Sequence, residues 1–210
     1  MRMTAIATRE HLVDRWVHLL GLGLGLPAAV AVVIVAAVDG ARDQLAPAAL
    51  YALGLLAMLG CSAAYHLLRQ SRHRDWLRRL DHAAIFAMIA GTYTPFTLLL
   101  ERAWATGLTA GIWGVAALGI AAKLWKPNGI APVSVALYLV LGWIGLVALG
   151  PFSASLGEDT LVLLAIGGGL YTAGVVFHLW QRLPYQNAIW HGFVLVAAGV
   201  HYAAVLTVVG

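Results

Sequence analysis

Apolar residues in this chain fall into seven long blocks separated by short polar connectors. The blocks run roughly from Trp16 to Val38, Leu45 to Leu68, His82 to Leu100, Trp104 to Ala122, Ile130 to Leu149, Leu161 to Trp180, and Ala188 to Val209. A helix rises 1.5 Å per residue, so about 20 consecutive apolar residues cross a hydrocarbon layer of about 30 Å. Each block is about that long. None shows the period-two alternation of a lipid-facing barrel strand, and unpaired backbone groups cannot be kept in hydrocarbon. The pattern therefore predicts an all-α protein, a single domain of seven transmembrane helices with no strands.

Composition agrees, since 61% of the residues are apolar, 10% are charged, and nearly every charge sits in a connector. That leaves no room for a separate soluble domain. There is no low-complexity run and no internal repeat, which weighs against an inverted-repeat transporter. A single cysteine, Cys61, lies inside the second block, so no intramolecular disulfide is possible. The first block is longer than the roughly 7 to 15 apolar residues of a signal peptide, and Glu10 and Asp14 precede it, so it reads as a span.

Basic residues set the orientation, because Lys and Arg in short loops are retained on the cytoplasmic side. Arg2, Arg9 and Arg15 precede the first block, and Arg69, Arg72, Arg74, Arg78 and Arg79 join the second to the third. Lys123 and Lys126 join the fourth to the fifth, and Arg182 the sixth to the seventh, which puts eleven of thirteen basic residues on one face. The expected topology has a cytoplasmic N-terminus and an extracytoplasmic C-terminus. The basic balance then reads as attachment to anionic inner-leaflet lipid, with no nucleic acid as partner. Both lysines lie in one connector, so no last-helix lysine is present for a retinal Schiff base. A G-protein-coupled receptor would have the opposite orientation.

Polar residues inside the blocks carry the chemistry, because an ionisable group in hydrocarbon persists only with a partner or a task. Ser62 and His66, in CSAAYH, lie four residues apart on one helix face. Asp81 opens the third block in RRLDHAAI, and His191 lies near the start of the seventh in NAIWHGF. The topology places all four in the cytoplasmic half, where two imidazoles, a carboxylate and a hydroxyl at one depth suit zinc and the activation of water. The plainer alternative is that each residue makes an ordinary helix contact, with Asp81 an anion at a helix N-terminus. His18 and His178 read as interfacial hydrogen-bonding groups, and His11 and His73 as solvated. Pro95 is expected to kink the third helix, with Thr92 and Thr94 covering freed backbone groups.

The segments SAAYH, RRLDHAAIFAMIAGTYTPF, LYLVLGWIGL, YTAGVVFHLWQR and NAIWHGFVLVAAGVHY resemble the bacterial hemolysin III family. That family lies within the progestin and adipoQ receptor group and is related to the alkaline ceramidases. The resemblance covers about Asp14 to Leu206 and implies a seven-helix fold in the bacterial cytoplasmic membrane with a zinc ion near the inner leaflet. It also implies that His66 and His191 are metal ligands and that Ser62 and Asp81 face the water that reacts. The last-helix pattern of the group is His-x-x-x-His, and its first position here is Asn187. An amide oxygen is a poor zinc ligand, so either affinity falls or Asp81 moves in as third ligand. His201 is ten residues beyond His191, about 15 Å deeper along a helix, and cannot substitute.

Three functions are compatible with these residues. The first is a zinc-dependent hydrolase of a lipid amide or ester, with Asp81 and Ser62 catalytic. The second is a pore-forming or cytolytic membrane protein, and the third a non-catalytic sensor of lipid composition or fluidity. Membrane lipids are the expected partners in all three, and the sequence leaves the oligomeric state open.

Overall fold

The computed structural model describes residues 2–39, 42–125 and 133–210, apart from the side chains of residues 2–8 and Arg42. The described residues form eight α-helical segments and no strand. In chain order these are α1 (Arg2–Val38), α2 (Leu45–Leu67), α3 (Arg74–Thr97), α4 (Arg102–Trp125), α5 (Ser134–Gly142), α6 (Leu149–Ser155), α7 (Glu158–Leu179) and α8 (Gln186–Val209). Six stretches are long and apolar enough to cross a membrane: Arg9–Val38 of α1, α2, α4, Ser134–Ser155 across α5 and α6, α7, and α8. The protein is therefore a multi-pass helical membrane protein. Large side chains such as Leu118, Val147 and Val140 stay exposed on its outer surface. In water that surface would be unfavourable, whereas in lipid it is the solvent-facing side.

The third apolar block lies in α3, which at 24 residues matches the spans in length but is less apolar, carrying Arg78, Arg79, Asp81, Thr92, Thr94 and Thr97. Packing explains how it tolerates them. It lies against α2, α4 and α8, and Ala83, Phe86, Ala90, Phe96 and both Thr94 and Thr97 are buried. Close approach to α2 depends on two glycines. A Cβ on Gly91 would sit 2.9 Å from the Leu50 carbonyl oxygen, and one on Gly54 would sit 3.0 Å from that of Ala87. Small residues at crossing points are how helices gain contact in lipid, where burial of apolar surface drives little.

Several boundaries differ from the sequence reading. α3 begins at Arg74, eight residues before the apolar block, so Asp81 lies two turns inside a helix and is not an anion at its start. Pro95 falls in the last turn of α3, which ends at Thr97, and does not kink a continuing span. Thr92 and Thr94 return hydrogen bonds of 2.8 Å to the carbonyls of Met88 and Ala90. The fifth block is continuous in sequence but broken in structure, with a 3-10 turn at Ile144–Ala148 between α5 and α6. Tyr93 satisfies the break: its hydroxyl donates to the Gly142 carbonyl and accepts the Gly145 N–H at 3.1 Å. The expected start of that block at Ile130, and Lys126, lie outside the described residues.

Candidate functional site

Four side chains from three helices meet near one end of the bundle. Asp14 and His18 come from α1, His66 from the last turn of α2, and His191 from the second turn of α8. α1 packs against both α2 and α8, and that packing brings residues far apart in sequence together. One potential ligand atom from each of the four lies within 4.8 Å of every other. The three ring centroids form a triangle with sides of 4.7 Å (His18 to His66), 4.4 Å (His18 to His191) and 4.4 Å (His66 to His191).

Asp14 is the hub of the cluster. Its carboxylate accepts from Nδ1 of His191 at 2.7 Å and from Nδ1 of His66 at 3.1 Å. Its backbone carbonyl accepts from Nδ1 of His18 at 2.8 Å. Carboxylates and carbonyls only accept, so these partners fix all three rings as Nδ1–H tautomers in this arrangement. Asp14 is 8% exposed, and a carboxylate buried that far requires such donors. The Nε2 of His18 lies 3.2 Å from the Ser62 hydroxyl, which joins the hydroxyl to the cluster. Asp81 lies within electrostatic reach of Ser62 and His66, on the wall of the same cavity.

The sequence-predicted residues divide accordingly. His66 and His191 come together, with Ser62 and Asp81 adjoining them. Asn187 is exposed, one turn before His191, and lies on the wall of the same cavity but outside the close cluster. The carboxylate among the imidazoles is Asp14, not Asp81. Sequence reasoning passed over Asp14 and placed His18 at the interface, although their i, i+4 spacing repeats that of Ser62 and His66. His201 stands apart, its Nε2 donating to the Leu164 carbonyl at 3.3 Å.

Three imidazoles and a carboxylate are donor types that zinc takes. Tetrahedral bonds of about 2.1 Å put ligand atoms roughly 3.4 Å apart. Asp14 already lies 2.7 Å and 3.1 Å from two of the imidazoles, so the residues fit the ion with small movements. The cluster opens on a cavity of about 600 Å³ that continues past Tyr93 and Trp143 to Leu149, Phe152 and Leu161. Such a volume lies within the range of sites that enclose a small organic ligand.

The family described as Haemolysin-III related matches residues 7–202. The chain is 33% identical to the Hemolysin-3 homolog of Bacillus subtilis (strain 168), over 94% of this chain and 93% of that one. It is also 33% identical to Hemolysin-3 of Bacillus cereus, over 98% and 94% of the two chains. The Monocyte to macrophage differentiation factor of Homo sapiens is 31% identical over 74% of this chain and 67% of its own. Match length and identity together establish that the chain belongs to the haemolysin-III related family.

Proposed function

We propose that this protein is a zinc-dependent hydrolase of a lipid amide or ester, working at the cytoplasmic leaflet. The observation that carries the reading is the Asp14, His18, His66 and His191 cluster, with Ser62 and Asp81 at its edge, opening on a lipid-sized cavity. In this reading the chain has seven spans and a cytoplasmic N-terminus. α3 is the seventh span, since it equals the others in length, packs on α2, α4 and α8, and buries Thr92, Thr94 and Thr97.

His18, His66, His191 and Asp14 would hold the ion. When bound, zinc supplies Lewis acidity, polarising a carbonyl and making water a nucleophile near neutral pH. Asp81 would accept the proton that the attacking water gives up and return it to the amine or alkoxide that departs as the acyl C–N or C–O bond breaks. Ser62, 3.2 Å from His18 at the edge of the cluster, would donate to the oxygen on which charge develops. The cavity wall around Met88, Phe152 and Leu161 holds the acyl chain and keeps bulk water from it.

Purified full-length protein in lipid nanodiscs tests this reading, with zinc measured by elemental analysis and hydrolysis of amide and ester lipids by mass spectrometry. Stoichiometric zinc with turnover that disappears in His66→Ala and His191→Ala is the expected result. A protein without metal, or product formation untouched by both substitutions, sinks the proposal.

A further inference from the structure

One cation on the cavity wall has no part in the reaction above. Lys123 lies two residues before the end of α4, is 1% exposed and lines the cavity. It makes no ion pair or hydrogen bond with any described residue. The charged groups within its electrostatic reach carry its own sign, Arg78 and, when protonated, His82. No carboxylate among the described residues balances it: Asp14 is committed to His66 and His191, and no ion pair joins Lys123 to Asp81. A buried ammonium is unfavourable unless an anion or several acceptors meet it. The chain supplies neither among its described residues, and Lys123 is part of the cavity wall.

Two further cations face the same cavity. Arg69 and Arg74 line it, and Arg74 is held in place over the Tyr65 ring at 4.5 Å, with its guanidinium donating to the Tyr65 carbonyl at 3.3 Å. The cavity wall therefore combines acyl-sized apolar space with an excess of positive charge. That is the complement of a lipid whose head bears an oxyanion.

We propose that Lys123 forms an oxyanion subsite in the cavity, so that the lipid taken by this protein carries a phosphate or carboxylate in its head group. The proposal rests on the reading of the cavity as the lipid chamber and narrows its substrate class from acyl lipids in general to anionic ones. A charge-assisted contact of this kind favours the anionic ligand roughly tenfold or more over a neutral one of the same chain.

The test uses the purified full chain in phosphatidylcholine nanodiscs and fluorescent, ether-linked probes that cannot be hydrolysed. These are an alkyl glycerol phosphate, the matching neutral alkyl glycerol, and a labelled fatty acid of equal length. Native protein should prefer the phosphate or carboxylate probe to the neutral one roughly tenfold or more. Lys123→Met and Lys123→Gln should bring the ratio close to one, and Lys123→Arg should preserve it. The Gln and Arg variants keep the test decisive should the Met variant fail to elute as folded protein. Native protein without preference, or undiminished preference in both neutral variants, overturns the proposal. Displacement of the phosphate probe by millimolar inorganic phosphate would assign the subsite to free phosphate, while resistance to it assigns the subsite to the lipid head. Hydrolysis is assayed separately on amide and ester lipids. Turnover without head-group selectivity removes the subsite alone, whereas selectivity without turnover keeps it and removes the hydrolase reading.

Discussion

Oδ1 of Asp14 on the first helix lies 2.7 Å from Nδ1 of His191 on the last, across 177 residues of chain. That contact closes the bundle at one end, since α1 packs on α8 on one side and on α2 on the other. It also turns two unremarkable polar positions into a possible metal centre.

Metal retention should follow the cluster and not the family pattern of the last helix. His18→Ala, His66→Ala, His191→Ala and Asp14→Asn should each lower bound zinc, whereas Asn187→Ala should leave it near the native level because that side chain is exposed. Elemental analysis of purified variants reads the difference, and a loss in Asn187→Ala equal to that in His18→Ala would contradict it.

Acid should strip the metal. Zinc takes neutral imidazole, whose ordinary pKa is about 6.5, so protons and zinc compete for the same nitrogens. Retention should be complete above neutrality and fall through the acid range as protons displace the ion. Dialysis at stepped pH followed by metal analysis checks this, and a flat profile over that range would speak against imidazole ligation.

Catalysis and metal binding should separate at the cluster's edge. Asp81→Asn and Ser62→Ala should lower kcat by roughly 10²-fold or more, the usual scale for a general base or an oxyanion donor, and leave zinc in place. Parallel turnover and metal assays on the same samples decide it. Loss of zinc in Asp81→Asn would make Asp81 a ligand after all.

Packing between α2 and α3 should be sensitive to one methyl group. Gly91→Ala places a Cβ 2.9 Å from the Leu50 carbonyl oxygen and should destabilise the protein by about 1–3 kcal/mol, the scale of overpacking. Gly60→Ala on α2 meets nothing within 4 Å and should be neutral or mildly stabilising. Thermal unfolding in detergent compares the two, and equal midpoints would refute the crossing.

Topology can be read from reporters. With seven spans and a cytoplasmic N-terminus, a C-terminal alkaline phosphatase fusion should be active and a C-terminal green fluorescent protein fusion dark. The reverse result would put both ends on the same side and remove α3 from the spans.

Much of the architecture was legible because the spans depend on length and hydropathy, which are local properties of each segment. Six of the seven blocks correspond to stretches apolar enough to cross a membrane by themselves. The exception is instructive. α3 falls short by hydropathy because it carries charged and hydroxyl side chains, and no single-segment measure can see that Thr92, Thr94 and Thr97 are buried where it packs on its neighbours. The fifth block is long and apolar enough to cross, but it is not one continuous helix. Its break at Ile144–Ala148 relies on a hydroxyl from Tyr93, 49 residues from Gly142 and 52 from Gly145.

The candidate site was half legible for a related reason. Ser62 and His66 share a helix face by spacing alone, and His191 could be placed at their depth from the charge bias of the loops. Asp14 and His18 have the same i, i+4 spacing, but they followed a charged stretch containing Glu10 and read as the edge of a span. Depth along the bilayer follows from counting residues. Rotation about the helix axis, and therefore which neighbour a side chain meets, does not.

The order of residues by itself determined that this chain lives in a membrane as a set of helices, because chain length and apolar runs allow no other way to satisfy the backbone in lipid. Only the tertiary structure decided that Asp14 ties three histidines together and that Lys123 lines the cavity without a partner among the described residues. Those outcomes depend on how α1, α2, α3, α4 and α8 rotate and pack against one another, and close packing is a property of the whole bundle.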